Sequence, residues 1–458
     1  MTNKSTVQDL TTGSPFRLII LFAIPMILGN LLQQLYNFVD TMIVGQFLGM
    51  EALAGVGDTS SINFLILGFC MGVCAGFAVP VAQRFGAKDE AGLKKYFANS
   101  LTLSVIISVA LAVIVSLLCR NILEWMSTPD DVFEYAYTYI LTIFIGIPIT
   151  FLYNILAGAI RSIGDSKTPL IFLIISLFIN VGLDYLFIAA FDWGVFGAAL
   201  ATVLAQLISG IMCVLVIVKK FTILHITKDD CRLDKKCAKL LCAMGIPMGL
   251  QYSITAIGSV ILQGSVNHLG SLAVAATTVA SKVNMIFISI LDALGAAMAT
   301  YAGQNLGAGR IDRIRKGAGA SVIIGVTYSV IAFGLALLVR KPMINLFIDK
   351  PDPEMVDMAA MHVLITTGAL SFLVLVNCLR FMIQGVGYSQ FAILAGVLEM
   401  VARTFAGLVI IPHFDFIGAC VASPSAWVLA DMFLVPAFFW VVRKLEKTYN
   451  RDAVQQNS

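Results

Sequence analysis

Two stretches of the chain, GFAVPVAQRFGAKD at residues 76–89 and MATYAGQNLGAGR at residues 298–310, are versions of one motif. Gln83 corresponds to Gln304, and Gly86 corresponds to Gly307. Further matching pairs occur in the same order along the chain: FAIPMILGN (22–30) with MGIPMGLQY (244–252), LGMEALAGV (48–56) with LGSLAVAAT (269–277), RSIGDS (161–166) with IQGVGYS (383–389), and AFDWGVFGAA (190–199) with PHFDFIGAC (412–420). The sequence therefore predicts an internal repeat that covers nearly the whole chain.

The composition indicates a membrane protein. Of 458 residues, 59% are hydrophobic and only 12% are charged, and the mean hydropathy is +0.90, whereas a soluble domain has about 25% charged residues. Twelve apolar runs exceed the ~20 residues that cross a bilayer as a helix: 17–48, 52–80, 97–119, 133–159, 169–190, 194–218, 240–267, 273–300, 317–339, 357–383, 390–411 and 417–442. We expect an all-α integral membrane protein of 12 transmembrane helices in two six-helix lobes. Because each half has an even number of spans, the repeats are parallel.

Basic residues set the predicted domains and orientation. The divisions are a tail (1–16), an N-lobe (17–218), a linker (219–239), a C-lobe (240–442) and a second tail (443–458). Lys and Arg concentrate in both tails, in the linker and in the other loops on that same side. The positive-inside rule therefore places both termini in the cytoplasm. The polar N-terminus lacks the short apolar core of a signal peptide.

Several functional classes lack their sequence signatures. We find no phosphate-binding loop, no aspartyl-phosphate motif, no HExxH and no GxSxG. The nine cysteines form no Cys-x-x-Cys pair, and the net charge of +3 suggests no nucleic-acid partner. We expect a protein that is not an enzyme, has no cofactor or resident metal, and draws energy from an ion gradient.

Two aspartates stand inside apolar runs of the first half. Asp40 is the only charged residue between Leu18 and Met50, and Asp184 follows Asn180 by one helical turn. No basic residue inside the first-half spans could neutralise them. An aspartate at the centre of a membrane helix costs ~2.5–3.5 kcal/mol on insertion scales, so such residues are functional by default. We expect this pair to bind a proton, with Na⁺ as the alternative.

The second half carries different charged residues at the corresponding places. Glu399 and Arg403 are four residues apart and can form a salt bridge within one helix, and a structural and a functional role are equally open. Lys282 and Asp292 stand nearly on opposite faces of one span. Lys282 is either a substrate-binding group or a packed partner, and Asp292 is a further candidate for substrate binding. Arg380, at the predicted cytoplasmic edge of its span, is interpreted as an interface anchor.

The chain resembles the multidrug and toxic compound extrusion (MATE) family of the MOP superfamily, and within it the DinF-like bacterial branch. The resemblance covers about residues 15–445. The residues that carry it are Pro25, Gln34, Tyr36 and Asp40, the repeated Gln83/Gly86/Ala87 and Gln304/Gly307/Ala308 segments, the Arg161–Pro169 loop, and Asn180 with Asp184. The resemblance implies that Tyr36, Asp40, Asn180, Asp184 and Thr202 handle the coupling cation. The chain departs from the NorM-like branch, which resembles a sodium-coupled design with an acidic residue in span seven. Here no Asp or Glu occurs between Ala243 and Ser281.

The resulting hypothesis is a monomeric antiporter of the bacterial inner (plasma) membrane. It would export amphipathic or cationic organic compounds in exchange for protons, or for Na⁺, by alternating access between the lobes. Pro25, which removes a helical hydrogen bond, is the candidate hinge. Candidate substrate-binding residues are Gln34, Asn37, Asn154, Lys282, Asp292, Glu399 and Arg403. The alternative is a flippase for lipids or lipid-linked oligosaccharides, which would need several cationic groups; Lys282, Arg403 and Arg380 are the candidates.

Overall fold

The structure is a computed structural model that describes residues 7–126, 128–227, 230–347 and 352–456, with side chains described as far as Tyr449. Within those ranges the regular structure is helical. The helices are α1 (Pro15–Asp58), α2 (Ser60–Gly86), α3 (Glu90–Trp125), α4 (Phe133–Ile145), α5 (Ile147–Ser162), α6 (Lys167–Asp184), α7 (Gly194–Lys220), α8 (Lys235–Asn267), α9 (Ser271–Gly307), α10 (Ile311–Asn345), α11 (Pro353–Gly368), α12 (Leu370–Gly385), α13 (Gln390–Phe405) and α14 (Ile411–Gln456). Short π-helical segments, Tyr185–Ala190 and Ala406–Ile410, follow α6 and α13.

The described helices provide the twelve predicted spans. Nine helical stretches are long and apolar enough to cross a bilayer, and the bent pairs α4–α5 and α11–α12 add two. The stretch Gln390–Tyr449, taken as one of the nine, is broken at Asp415 (φ 48°, ψ −133°) and therefore contains two spans. The prediction of an all-α membrane protein with twelve spans is thus confirmed.

The backbone repeats its irregularities in both halves. α1 breaks at Gly49 (φ 84°), and the corresponding Gly270 (φ 97°) precedes α9. A side chain is disfavoured at such positive φ values, which explains glycine at both places. Three more pairs have positive φ at matching positions, namely Lys88 with Gly309, Gly164 with Gly387, and Asp192 with Asp415. Both bent spans turn by 48°, so the internal repeat holds in the structure as well as in the sequence.

The chain forms two compact units. One contains Leu28–Gly249 with the described part of Met1–Asp9, and the other contains Leu10–Ile27 with the described part of Leu250–Ser458. In the first unit, α2 approaches the start of α8 very closely, because a Cβ on Gly76 would lie 2.5 Å from the Cα of Gly245. The glycines at 72 and 76 therefore serve helix packing. The lobe boundaries expected from the sequence stay predictions.

In the second unit, the repeated motif holds the segment that precedes α1. The amide of Leu10 donates to Gln304 Oε1 (3.0 Å), and Asn305 Nδ2 donates to the carbonyl of Leu10 (3.2 Å). Arg313 is buried and donates to Asn305 Oδ1 (2.9 Å) and to the carbonyls of Gly13 (2.8 Å) and Leu10 (3.3 Å). The second copy of the motif, together with Arg313 just after it, thus binds the backbone of Leu10 and Gly13.

Replacing Arg313 by lysine is expected to loosen this segment. Lysine keeps the charge but cannot satisfy three acceptors in the fork geometry of a guanidinium, and each lost hydrogen bond in a buried site costs about 1–3 kcal/mol. Hydrogen exchange followed by mass spectrometry should show faster exchange of the peptide around Leu10. The matched control is Arg315→Lys, since Arg315 is exposed on the same helix; equal exchange in both variants would contradict the assignment.

The linker between the halves is held by ordinary structural contacts. Asp234 accepts hydrogen bonds from the backbone amides of Lys236 (2.8 Å) and Cys237 (3.0 Å) at the start of α8, and from Lys95 Nζ (2.8 Å). These donors favour the ionised form, and the hydrogen bond from Lys95, the largest cause, holds the pKa of Asp234 well below its usual range. Asp234 therefore acts as a helix cap tied to α3.

Candidate functional site

The first predicted acid lies on α1. Its neighbours Leu35, Phe38 and Met42 are each nearly half exposed, as expected for side chains that face lipid. Asp40 is 8% exposed, so it turns away from that surface into the first unit. Tyr36, one turn earlier, lies on the same side of the helix.

The second acid lies at the end of α6, where the helix changes its winding. Asn180 and Asp184 are 1% and 0% exposed, and the π-helical segment Tyr185–Ala190 begins directly after Asp184. Such segments are frequent at functional sites because they turn side chains away from the regular helical positions. Ser176 Oγ, on the same helix, donates to the carbonyl of Ala205 on α7 (3.0 Å). That bond fixes α6 beside Thr202.

Four of the five residues that the family resemblance implies, Tyr36, Asp40, Asp184 and Thr202, form one cluster, and Asn180 stands one helical turn before Asp184 on α6. Tyr36 OH donates to Thr202 Oγ1 (2.9 Å), which joins α1 to α7. The carboxyl groups of Asp40 and Asp184 lie close enough to interact directly. Asp40 Oδ1, both carboxylate oxygens of Asp184, and Asn180 Nδ2 have no hydrogen-bond partner among the described residues. Three carboxylate oxygens of the two acids therefore lack a donor within the described part of the chain, and the amide of Asn180 lacks an acceptor there.

Tyr139 on α4 belongs to this site and was not identified from the sequence. Its hydroxyl is close enough to act electrostatically on both Asp40 and Asp184, as is that of Tyr36. Tyrosines are common core residues of apolar helices, and α4 contains two others, Tyr135 and Tyr137, so the sequence gives no signal that singles out Tyr139. Only the packing of α4 against α7, the helix that carries Thr202, brings Tyr139 to this site.

The chemistry available to this cluster is cation binding. Two neighbouring carboxylates in a site of low dielectric cannot both stay ionised without a counter-ion, and no described residue forms an ion pair with either acid. A proton shared by the pair removes the repulsion, and the hydroxyl and amide groups can then donate to the remaining charge. The oxygens of Asp40, Asp184 and Thr202 could instead surround a sodium ion. The described residues contain no group of three His, Cys, Asp or Glu that could hold a metal ion.

The charged residues of the second half form a connected network inside the second unit. Glu399 accepts from Arg380 (NH1 to Oε1, 2.8 Å) and from Arg403 (NH2 to Oε2, 3.4 Å). Arg380 also donates to Asn377 Oδ1 (2.8 Å), and Asn377 Nδ2 donates to Asp292 Oδ1 (2.8 Å). The salt bridge expected between Glu399 and Arg403 is therefore present, and Asp292 joins the same network.

The interpretation of Arg380 as an interface anchor is wrong. Arg380 is 8% exposed, and its guanidinium is bonded to Glu399 and Asn377. Nearly all of α12 is buried, because the helix is packed against α9, α10 and α14. Hydropathy places Arg380 near the end of an apolar run but does not show what surrounds that end.

The other candidate residues are less constrained. Lys282 is exposed and stands 5.9 Å above the ring of Phe347. Asn154 Nδ2 donates to the carbonyl of Thr150 within its own helix (2.8 Å). Asn37 is exposed and Gln34 half-buried, both on α1. None of these contacts brings them to the two acids, so their role in substrate binding stays a prediction.

Taken together, the fold and the site define a polytopic helical membrane protein with a parallel internal repeat and buried acids in its first half. A sequence model of the MatE family matches residues 25–186 and 247–408, one match in each half. The chain belongs to the MatE family, whose members are transporters and not enzymes. The recognition of this family from the sequence is confirmed.

Individual relatives agree with this assignment. The chain is 33% identical to "Probable multidrug resistance protein YoeA" of Bacillus subtilis (strain 168), over 68% of each chain. It is 30% identical to "Probable multidrug resistance protein YpnP" of the same organism, over 75% of this chain and 77% of the relative. A solved structure titled "Outward-facing conformation of a multidrug resistance MATE family transporter of the MOP superfamily" superposes with a TM-score of 0.90, at 21% identity over 97% of this chain and 99% of the other. That last likeness concerns the fold alone.

Proposed function

We propose that this chain is a secondary active antiporter that exports organic compounds in exchange for protons bound at Asp40 and Asp184. One observation carries the proposal: two buried carboxyl groups from different helices face each other, and three of their four oxygens lack any hydrogen-bond partner among the described residues. A structural role would provide donors for them. A site that gains and loses a cation explains why they are left without partners.

The proposed cycle depends on the charge of this pair. With a proton bound, the pair carries one negative charge, and the hydroxyl of Tyr139 can stabilise it, whereas Tyr36 already donates to Thr202. Loss of that proton leaves two neighbouring charges, which favours separation of α1 from α6. Proton binding and release can therefore select between two arrangements of these helices, as alternating access requires.

Pro25 is the proposed hinge of that movement. It lies inside α1, fifteen residues before Asp40, and the chain returns to the first compact unit three residues later at Leu28. Proline removes one helical hydrogen bond, so α1 can bend there with little loss. Bending would move Asp40 relative to Asp184 without unfolding either helix.

Amphipathic or cationic organic compounds are the proposed substrates. The support is that two relatives above are named as probable multidrug resistance proteins. The flippase alternative needs cations free to hold pyrophosphate, and two of its candidates, Arg380 and Arg403, are both bonded to Glu399. That arrangement favours export of organic compounds over lipid-linked sugars. We further propose that the chain works as a monomer in the bacterial inner membrane, with both termini in the cytoplasm.

The experiment is ion-driven transport by the purified chain in proteoliposomes. A fluorescent organic cation is the substrate, and either a pH gradient or a sodium gradient is imposed alone. We expect transport with the pH gradient and none with sodium. Transport with sodium alone would keep the antiporter and change the coupling ion, whereas transport with neither gradient would overturn the proposed function.

A further inference from the structure

A third buried acid lies in the second unit, away from the site described above. Asp431 is on α14 between Pro424 and Pro436, and its residue is 7% exposed. Neither of its carboxylate oxygens has a hydrogen-bond partner among the described residues. It is in the same condition as Asp184, although its helix belongs to the other repeat.

The charged groups around Asp431 come from the helices packed against α14. These are α10, α11, α12 and α13. Arg380 on α12 and Glu399 on α13 are close enough to act on Asp431 electrostatically without being hydrogen-bonded to it, and Arg403 is bonded to Glu399. From α11, the buried His362 faces Phe416 near the start of α14, about four turns from Asp431. On α10, the buried Arg313 is bonded to the segment before α1.

The charges of this network balance only if one acid is neutral. Glu399 serves two guanidinium groups, which leaves one positive charge in excess. Either Asp292 or Asp431 could supply the compensating negative charge. If both were ionised, one negative charge would be left without a positive partner, which is costly in a membrane interior.

Hydrogen bonding decides which acid that is. Arg380 donates to Asn377, and Asn377 donates in turn to Asp292, so donors stabilise the ionised form of Asp292. Asp431 receives no donor from the described residues. Asp431 is consequently the acid that carries a proton when the network has this geometry.

We propose that Asp431 is a second proton-binding site of this transporter, and that Arg380 is the partner of its ionised form. Arg380 Nε has no hydrogen-bond partner among the described residues, whereas NH1 and NH2 are engaged. One N–H of the guanidinium is thus available to the ionised carboxylate without release of Glu399. Each repeat then contains its own proton site. The use of this second proton in transport rests on the proposed function, but its binding does not.

The test is infrared spectroscopy of the full chain in liposomes, in the C=O stretching region of protonated carboxylic acids. Spectra are taken as the pH is raised from about 5 to about 9, the range in which buried carboxyl groups titrate. We expect a band that disappears with rising pH, is missing in Asp431→Asn, and is retained in Asp40→Asn. Asparagine mimics the protonated acid in shape and charge, so this variant should fold; Asp431→Glu should restore a titrating band at a shifted position.

Three results would overturn the proposal. Unchanged titrating bands in Asp431→Asn would show that Asp431 does not exchange protons. A band that Asp431→Asn removes but that persists over the whole pH range would show a permanently protonated, structural acid. Removal of the band by sodium at fixed low pH would show a sodium site. All three results are obtained by spectroscopy and need no transport assay. Failure of the proposed function would instead appear in the transport assay, as the absence of gradient-driven export by the unaltered chain.

Discussion

Asp184→Asn is expected to abolish concentrative export while the protein still reaches the membrane. Asp184 is fully buried beside Asp40, and its two oxygens are bonded to no described residue. Asparagine has the same shape but cannot bind a proton, so the coupling step is lost. A pH gradient of about one unit supplies roughly 1.4 kcal/mol per proton, which corresponds to a roughly tenfold substrate gradient when one proton is exchanged for one substrate cation. We therefore expect the unaltered protein to build a substrate gradient of about that size and Asp184→Asn to build none.

The measurement is accumulation of a fluorescent organic cation in inverted membrane vesicles energised by a pH gradient. The matched control is Asp192→Asn, because Asp192 is exposed eight residues further on and asparagine tolerates its positive φ of 57° equally well. Asp184→Glu should retain part of the activity, since it keeps a titratable group. Full accumulation by Asp184→Asn would remove Asp184 from the coupling mechanism.

Glu399→Gln is expected to destabilise the second unit strongly. The side chains of Glu399, Arg380 and Arg403 are 4%, 10% and 9% exposed, and Glu399 is bonded to both arginines. Its removal leaves two buried guanidinium groups with too little negative charge nearby. Breaking one partner of a buried ion pair costs about 3–5 kcal/mol, much of it from the charge that is left behind. We expect a clear fall in the thermal unfolding temperature of the detergent-solubilised protein.

A double variant separates a structural role from a functional one. Arg403→Gln combined with Glu399→Gln removes one charge of each sign, so it should recover part of the stability lost in the single variant. If the network is instead a substrate site, Glu399→Gln should unfold at the unaltered temperature and lose substrate binding. That result would contradict the structural assignment and favour the functional role that the sequence left open.

The helical spans and the repeat could be predicted because their causes are local or nearly so. A run of apolar residues is favourable in lipid whatever its partners are, and every backbone group within a helix is satisfied by the helix itself. The glycines at 49 and 270 take positive φ at corresponding positions in the two halves, so they already mark the repeat in the sequence. Asp40 and Asp184 were recognisable for a similar reason, since a charge in an apolar run is unfavourable before any partner is known.

Which side chains meet depends on the rotation and bending of whole helices, so those contacts could be found only in the three-dimensional structure. Tyr139 comes within electrostatic reach of the two acids only because α4 packs against α7. Arg380 meets Glu399 across 19 residues of chain, although hydropathy alone suggested an interface. Asp431, like Asp40, is an unfavourable charge in an apolar run, but the role proposed for it depends on Arg380 and Glu399 on neighbouring helices. A sequence records how costly each buried charge is, whereas its compensation depends on groups from other helices that only packing brings within reach.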